Sequence, residues 1–266
     1  MKFLQIILLG SGTIAISVLQ SLRKREISPL VVICKDKCNA LCFAFIENYA
    51  HRFGLETKIF LSNRETDDFF KNIDKSTLVI SANNTYLFPK AVLENSNLKI
   101  INFHNALLPH HKGMNAPTWS IFEHDNVSGI TWHVVEEQID SGEIIVQKSV
   151  IISEDETAIS LVKKLMQLGI VAFDECLDSI LTWNFIPCKS LSNKESIHRA
   201  KDIPNNGVYE EEWCFEKKSS FLRSLDWGGI RQFPLPIVHD VDGDYQIEDY
   251  RIDGNNIWIK KKKTSS

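Results

Sequence analysis

Five short apolar runs, at 3–9, 29–34, 57–61, 77–82 and 98–103, alternate with stretches of helical period near 13–24, 38–53, 64–73 and 89–95. Strands that pair in parallel need a crossover between them, and a helix is the usual one. The alternation therefore predicts an α/β fold: a Rossmann-like, mostly parallel sheet with helices on both faces. A helix is expected over 115–125, strands over 127–135 and 143–152, and a long amphipathic helix over 155–183. Its stripe of Ile159, Val162, Leu165, Met166, Ile170 and Phe173 marks a core face. Beyond residue 186 the texture changes, with Pro187, Pro204, Pro234 and Pro236 and only a short helix (215–226) before two or three strands. With 266 residues the chain suits one main domain, 1–185, and a small C-terminal α+β module, 186–266. The closing run Lys260 to Lys263 reads as a solvated tail.

A net charge of −4 offers no general attraction for a polyphosphate backbone, which ranks nucleic acid low among partners. No apolar run approaches the roughly 20 residues needed to cross a bilayer. The start, Met1 to Leu9, imitates a secretory leader, but Gln5 interrupts it and a strand–turn–helix pattern continues through Ile14, Val18 and Leu22. The expectation is a cytoplasmic protein without a membrane partner. The six cysteines, Cys34, Cys38, Cys42, Cys176, Cys188 and Cys214, read as reduced thiols. The four-residue spacing of the first three suits helix packing better than a metal cluster.

Gly10-x-Gly12-x-x-Ala15 opens the first helix and suggests a dinucleotide turn, with Asp36 as the residue that would hold a ribose. The same glycines serve a purely structural turn, and the nicotinamide reading stays open here. A second polar feature lies at the end of the fifth strand. Residues two apart on a strand share a face, so Asn102 and His104 are neighbours, and they lead into a loop where open α/β sheets place ligands.

Asn102-x-His104-x-x-Leu107-Leu108-Pro109, Gly113, Gly129-x-Thr131-x-His133 and Asp140-x-Gly142-x-Ile144 follow one another in an order and spacing that resemble the folate-dependent formyltransferases. That family includes enzymes acting on glycinamide ribonucleotide, methionyl-tRNA, sugar amines and peptide-synthetase substrates. The close match covers roughly residues 78 to 150, and a weaker match in element order runs from 1 to 185. The resemblance implies an enzyme that moves a formyl group from 10-formyltetrahydrofolate to a primary amine through a tetrahedral intermediate. It implies His104 as the group that accepts the amine proton or hydrogen-bonds the intermediate, and Asn102 as the oxyanion donor. Asp140 would orient His104. The folate would lie against Tyr86, Leu87, Phe88, Val134, Glu136, Ile139 and Asp140, and the acceptor against Asn105, His110, Lys112 and Gly113. His133 reads as structural. His110 and His111 invite a metal, but the sequence places no third ligand near them, so no metal is expected.

Phe221-Leu222-Arg223-Ser224-Leu225-Asp226 is similar to a segment of formylation domains in peptide-synthesis systems, and its Arg223 faces an anionic acceptor or pairs with Asp226. A short neutral tail departs from the longer basic module of methionyl-tRNA formyltransferases. Acceptors therefore rank as an amino sugar on a nucleotide level with an amino acid or aminoacyl unit, small or carrier-bound, then methionyl-tRNA. A formyltetrahydrofolate hydrolase and a nicotinamide-binding oxidoreductase or regulatory module are the rival classes, and exposed tail strands allow a homodimer.

Overall fold

Residues 77–82, Thr-Leu-Val-Ile-Ser-Ala, are buried along their whole length, as expected of a strand covered on both faces. The computed structural model describes residues 2–34 and 40–264. In it this segment is β4 (Thr77–Ala82), preceded by β1 (Gln5–Gly10), β2 (Leu30–Cys34) and β3 (Thr57–Phe60). It is followed by β5 (Leu98–His104), the two-residue β6 (Lys112–Gly113), β7 (Val127–Val134) and β8 (Ile144–Ile151). Seven of these form one sheet in the order β3-β2-β1-β4-β5-β7-β8. The pairs from β3 to β5 are parallel, whereas β7 and β8 join antiparallel. The mostly parallel sheet expected from the alternation is present, with an antiparallel edge.

Alternate residues of each strand feed two cores. Leu8, Ile33, Leu78, Ile101 and Phe103 join Val18 and Leu22 of α1 (Gly12–Lys24) and Ile46 of α2 (Ala40–Arg52). Ile7, Val32, Val79 and Ile100 face Phe70 of α3 (Asn63–Lys71) and Val92 of α4 (Lys90–Leu93). The short α5 (Ala116–Phe122) precedes the antiparallel strands, and α6 (Ala158–Thr182) lies across the first core. Thr157 starts α6 with a reciprocal capping box to Ser160. The buried face of α6 runs through Leu161, Leu165, Gly169, Ala172, Phe173, Leu177 and Ile180. Of the expected stripe, only Leu165 and Phe173 lie at its centre. Ile159, Val162, Met166 and Ile170 flank it, because two of the deepest positions are small residues that hydropathy underweights.

Gly169 has a packing reason. A Cβ there would come within 2.3 Å of the buried Phe103 ring. Gly169→Ala should therefore destabilise the fold by roughly 1–3 kcal/mol from overpacking, offset by only about 1 kcal/mol of helix propensity. A lower urea midpoint with an unchanged slope is the expected result; an unchanged or higher midpoint would show that the ring yields freely.

The tail contains β9 (Ile197–His198), β10 (Val208–Tyr209), α7 (Phe215–Leu225), β11 (Ile237–Asp240), β12 (Gly243–Asp253) and β13 (Asn256–Lys263). A four-stranded sheet, β10-β11-β12-β13, packs Val238 and Ile247 with Phe221 and Leu222 of α7. Phe122 of α5 joins this cluster, and Thr118 Oγ1 donates to the Ser224 carbonyl at 2.8 Å, so α7 docks on α5. Two expectations are corrected. Lys260 to Lys263 belong to β13 and not to a free tail, since Lys261 and Lys263 pair with Asp240 and Asp242 at 2.7 and 3.2 Å. Arg223 does not pair with Asp226. Its Nη1 donates to the Glu156 carbonyl at 2.7 Å, tying α7 to the start of α6, while Asp226 accepts from the Tyr250 hydroxyl at 2.8 Å.

Candidate active site

The site forms where β4 and β5 end and β7 returns beside them. Register sets its geometry: Ser81 lies next to Asn102 across β4 and β5, and Asn102 next to His133 across β5 and β7. Ser81 Oγ donates to Asn102 Oδ1 at 2.7 Å. That bond fixes the amide, leaving its Nδ2 hydrogens to face His133 Nε2 at 3.3 Å and the space beyond. Asp140 reaches the same place from the 136–142 loop, in a left-handed backbone conformation with φ of 50°. Its Oδ2 accepts the Gly113 N–H at 2.8 Å and lies 3.6 Å from His104 Nδ1; its Oδ1 lies 3.4 Å from His133 Nε2.

Protonation follows from these partners. His104 Nε2 is 2.8 Å from the His111 carbonyl, which can only accept, so Nε2 carries the hydrogen. The neutral ring therefore presents a bare Nδ1 towards Asp140. Burial lowers the His104 pKa from its ordinary value, against the opposing pull of the Asp140 carboxylate. For Asp140, burial pushes upward, but the neighbouring His104 and His133 imidazoles and the Gly113 N–H together hold it below the usual carboxylate range. An anionic acid beside a neutral base is the resulting state. A proton taken by Nδ1 would land next to a negative charge.

Gly113 is fixed by geometry. Its φ is 86°, and a Cβ would sit 2.2 Å from the His198 carbonyl oxygen across the β6–β9 pair. Glycine alone brings its N–H to Asp140 here. Thr131 holds the loop after β5, accepting from the Leu108 N–H at 3.2 Å and donating to the Ala106 carbonyl at 2.7 Å.

The formyl transferase family model matches residues 1–177. The chain belongs to the formyl transferase family. It is an enzyme of formyl-group transfer, and the motifs from Asn102 to Ile144 fall inside the matched region, whereas the Phe221–Asp226 segment lies beyond it. GDP-perosamine N-formyltransferase of Brucella melitensis is 26% identical over 182 residues, covering 68% of this chain and 67% of that one. Methionyl-tRNA formyltransferase of Flavobacterium psychrophilum is 28% identical over 195 residues, covering 70% and 61%. This chain thus spans about two thirds of the length of such relatives. Among solved structures, a sugar N-formyltransferase from Shewanella superposes with a TM-score of 0.72 at 19% identity, covering 91% of this chain and 96% of that one. An N-formyltransferase from Helicobacter canadensis, in complex with folinic acid and dTDP-3-aminofucose, gives 0.71 at 17%, covering 96% and 94%. These establish the shared fold, including the small C-terminal sheet.

The remaining expected residues of this formyl transferase separate into open and buried groups. Leu87 and Ile139 are 69% and 46% exposed, and Phe88 and Val134 are half-buried. A Lys90–Glu137 ion pair at 3.5 Å braces the 84–90 loop against the 136–142 loop, which also carries exposed Glu136. Exposed apolar side chains on facing loops suit a flat ligand. Tyr86 is placed differently from the expectation. It is buried against Phe70 and Phe88, and its hydroxyl donates to Asp67 at 2.7 Å, so its side chain belongs to the core.

On the acceptor side Asn105 is half-buried, while Lys112 is held by Glu195 at 2.6 Å and is not a free cation. His110, expected against the acceptor, is buried beside Asp125. Sequence reasoning also missed the place of His133, which touches both Asn102 and Asp140. The available signal was its register opposite Asn102, hidden until β7 is known to run antiparallel to β5.

The glycine turn after β1 is consumed by internal bonds. Ser11 Oγ donates to the Asn83 carbonyl at 2.9 Å, Asn83 Nδ2 returns to the Ser11 carbonyl at 3.3 Å, and a Cβ on Gly10 would meet the Ala82 oxygen at 2.0 Å. These contacts favour the structural reading of the turn. Asp36 and Cys38 lie outside the described residues. Among the described residues no helix is long and apolar enough to cross a membrane.

Proposed function

We propose that this enzyme transfers the formyl group of 10-formyltetrahydrofolate to the primary amine of an amino sugar carried on a nucleotide. The observation that carries the reading is the bare Nδ1 of His104, 3.6 Å from the Asp140 carboxylate, beside an amide whose hydrogens Ser81 aims into the site. The neutral amine attacks the formyl carbon, forming the new C–N bond and turning the carbonyl oxygen into an oxyanion. Asn102 Nδ2 donates to that oxygen, an effect worth about 3–4 kcal/mol in hydrolase precedents. His104 Nδ1 takes the amine proton, and Asp140 stabilises the imidazolium. On collapse the bond to folate N10 breaks, and the proton returns from His104 to that nitrogen. The products are the formamide and tetrahydrofolate.

Leu87, Phe88, Val134 and Ile139 would hold the pterin, with the backbone of the 136–142 loop supplying polar contacts. Folinic acid and 5-N-formyl-THF accompany two of the structural neighbours and support a folate donor. The amino-sugar acceptor rests on the GDP-perosamine enzymes and on the sugar N-formyltransferases that share the fold. The chain's charge of −4 argues against tRNA.

The test is a panel of nucleotide-linked amino sugars, amino acids and charged methionyl-tRNA, each offered with 10-formyltetrahydrofolate while free tetrahydrofolate is followed. Release that requires an amino sugar supports the assignment. Release that is equally fast without any amine would make the protein a hydrolase, and turnover confined to tRNA would replace the acceptor class.

A further inference from the structure

The loop after β5 holds a second cluster that the formyl-transfer reading leaves without a role. His110 and His111 are both buried, and Asp125, from the turn between α5 and β7, reaches both. His111 Nε2 lies 2.8 Å and His110 Nε2 3.6 Å from the same oxygen, Asp125 Oδ2. The three ligand atoms fall within 4.8 Å of one another. His110 Nε2 is buried with no hydrogen-bond partner. An orphaned imidazole nitrogen aimed at a carboxylate is costly unless something sits between them.

We infer that His110 Nε2, His111 Nε2 and Asp125 Oδ2 form a binding site for a divalent transition ion of the zinc class. Two imidazoles and one carboxylate select such an ion over magnesium or calcium, which prefer oxygen donors. Ligand atoms around a tetrahedral zinc lie about 3.3 Å apart. The separations of 2.8 and 3.6 Å bracket that value, so small side-chain adjustments suffice. Glu123, half exposed at the end of α5, has its Oε2 4.0 Å from His110 Nε2 and is the natural fourth ligand.

The surrounding bonds suit this assignment. Lys194 Nζ holds Asp125 Oδ1 at 2.6 Å, while Oδ2 accepts the His111 Nε2–H at 2.8 Å, a hydrogen that a bound ion would displace. With Nε2 as the ligand, His111 Nδ1 carries the hydrogen and donates to His198 Nε2 at 2.9 Å. Trp119 stacks on the His198 ring at 4.1 Å and fixes that partner. Metal-bound imidazoles are oriented by such outer partners. The adjacent pair His110–His111 invited a metal in the sequence, and the expectation of none rested on the missing third ligand; Asp125 is fourteen residues on and arrives only through the α5 turn, as His198 does through the β6–β9 pairing.

The consequence reaches the catalytic group through one residue. The His111 carbonyl accepts the His104 Nε2 hydrogen, so an ion on His111 would pin the loop that sets the His104 tautomer. No step of formyl transfer passes through the ion, and the site stands whether or not the proposed acceptor is right.

The experiment is calorimetric titration of the chelator-treated protein with zinc chloride, repeated with cobalt chloride while visible absorption is recorded. One ion per chain and a tetrahedral cobalt spectrum are expected. His110→Ala and Asp125→Asn should each weaken binding by roughly a hundredfold or more, whereas Asp140→Asn and the surface variant His239→Ala should leave it unchanged. If His110→Ala fails to fold, His110→Gln takes its place. Absence of stoichiometric binding, persistence in both ligand variants, or loss in either control would overturn the site.

Discussion

Asp140→Asn is expected to lower formyl transfer at least about a hundredfold while the fold persists. The amide is isosteric, and its oxygen can still accept the Gly113 N–H now bonded at 2.8 Å, so the 136–142 loop keeps its anchor. The negative charge is what disappears. Once His104 accepts the amine proton, its Nδ1 faces Asp140 Oδ2 at 3.6 Å in a buried setting where water supplies little compensation. A hundredfold loss corresponds to about 2.7 kcal/mol, a moderate figure for removing the partner of a buried cation. Circular dichroism and a urea melt establish that the variant is folded; single-turnover rates measure the loss. A rate within a few-fold of the parent would mean that the imidazolium is never formed beside this carboxylate.

His104→Ala should cost at least as much. It removes the proton acceptor outright and leaves the His111 carbonyl, which now accepts from Nε2 at 2.8 Å, without that donor. The lost bond also loosens the loop, so stability should fall by about 1–2 kcal/mol. His104→Gln separates the two effects. Its amide can donate to the same carbonyl and restore stability, but it has no basic nitrogen and should not restore the rate. Recovery of turnover in the Gln variant would assign His104 a purely structural role.

Much of this was legible in the residues. The alternation of apolar runs and helical stretches is a local property, and the seven-stranded sheet follows it closely. Asn102 and His104 declared themselves through the two-residue period of β5. Asp140 was legible only through the family resemblance, because the loop carrying it is brought in by the antiparallel return of β7 and β8. The errors share one cause: long-range pairing. Tyr86 looked like a pocket wall because it follows a strand, yet Asp67, nineteen residues earlier, satisfies its hydroxyl and draws it into the core. Lys112 was expected to meet the acceptor, yet its ammonium lies 2.6 Å from Glu195, on the segment leading into β9. The Lys260 to Lys263 run is exposed as expected, but it looked like a tail because its acidic partners sit across the tail sheet. The place of His133 beside Asn102 and Asp140 stayed hidden for want of a known register.

The central claim is that His104 and Asp140 handle one proton as a unit, and a double-mutant cycle tests it most directly. Single-turnover formyl transfer is measured for the parent, His104→Ala, Asp140→Asn and the double variant with one amine acceptor. Residues acting as a unit give a double variant little slower than the worse single one. If the two losses multiply, the imidazole and the carboxylate act independently, and the mechanism drawn from their 3.6 Å approach is wrong.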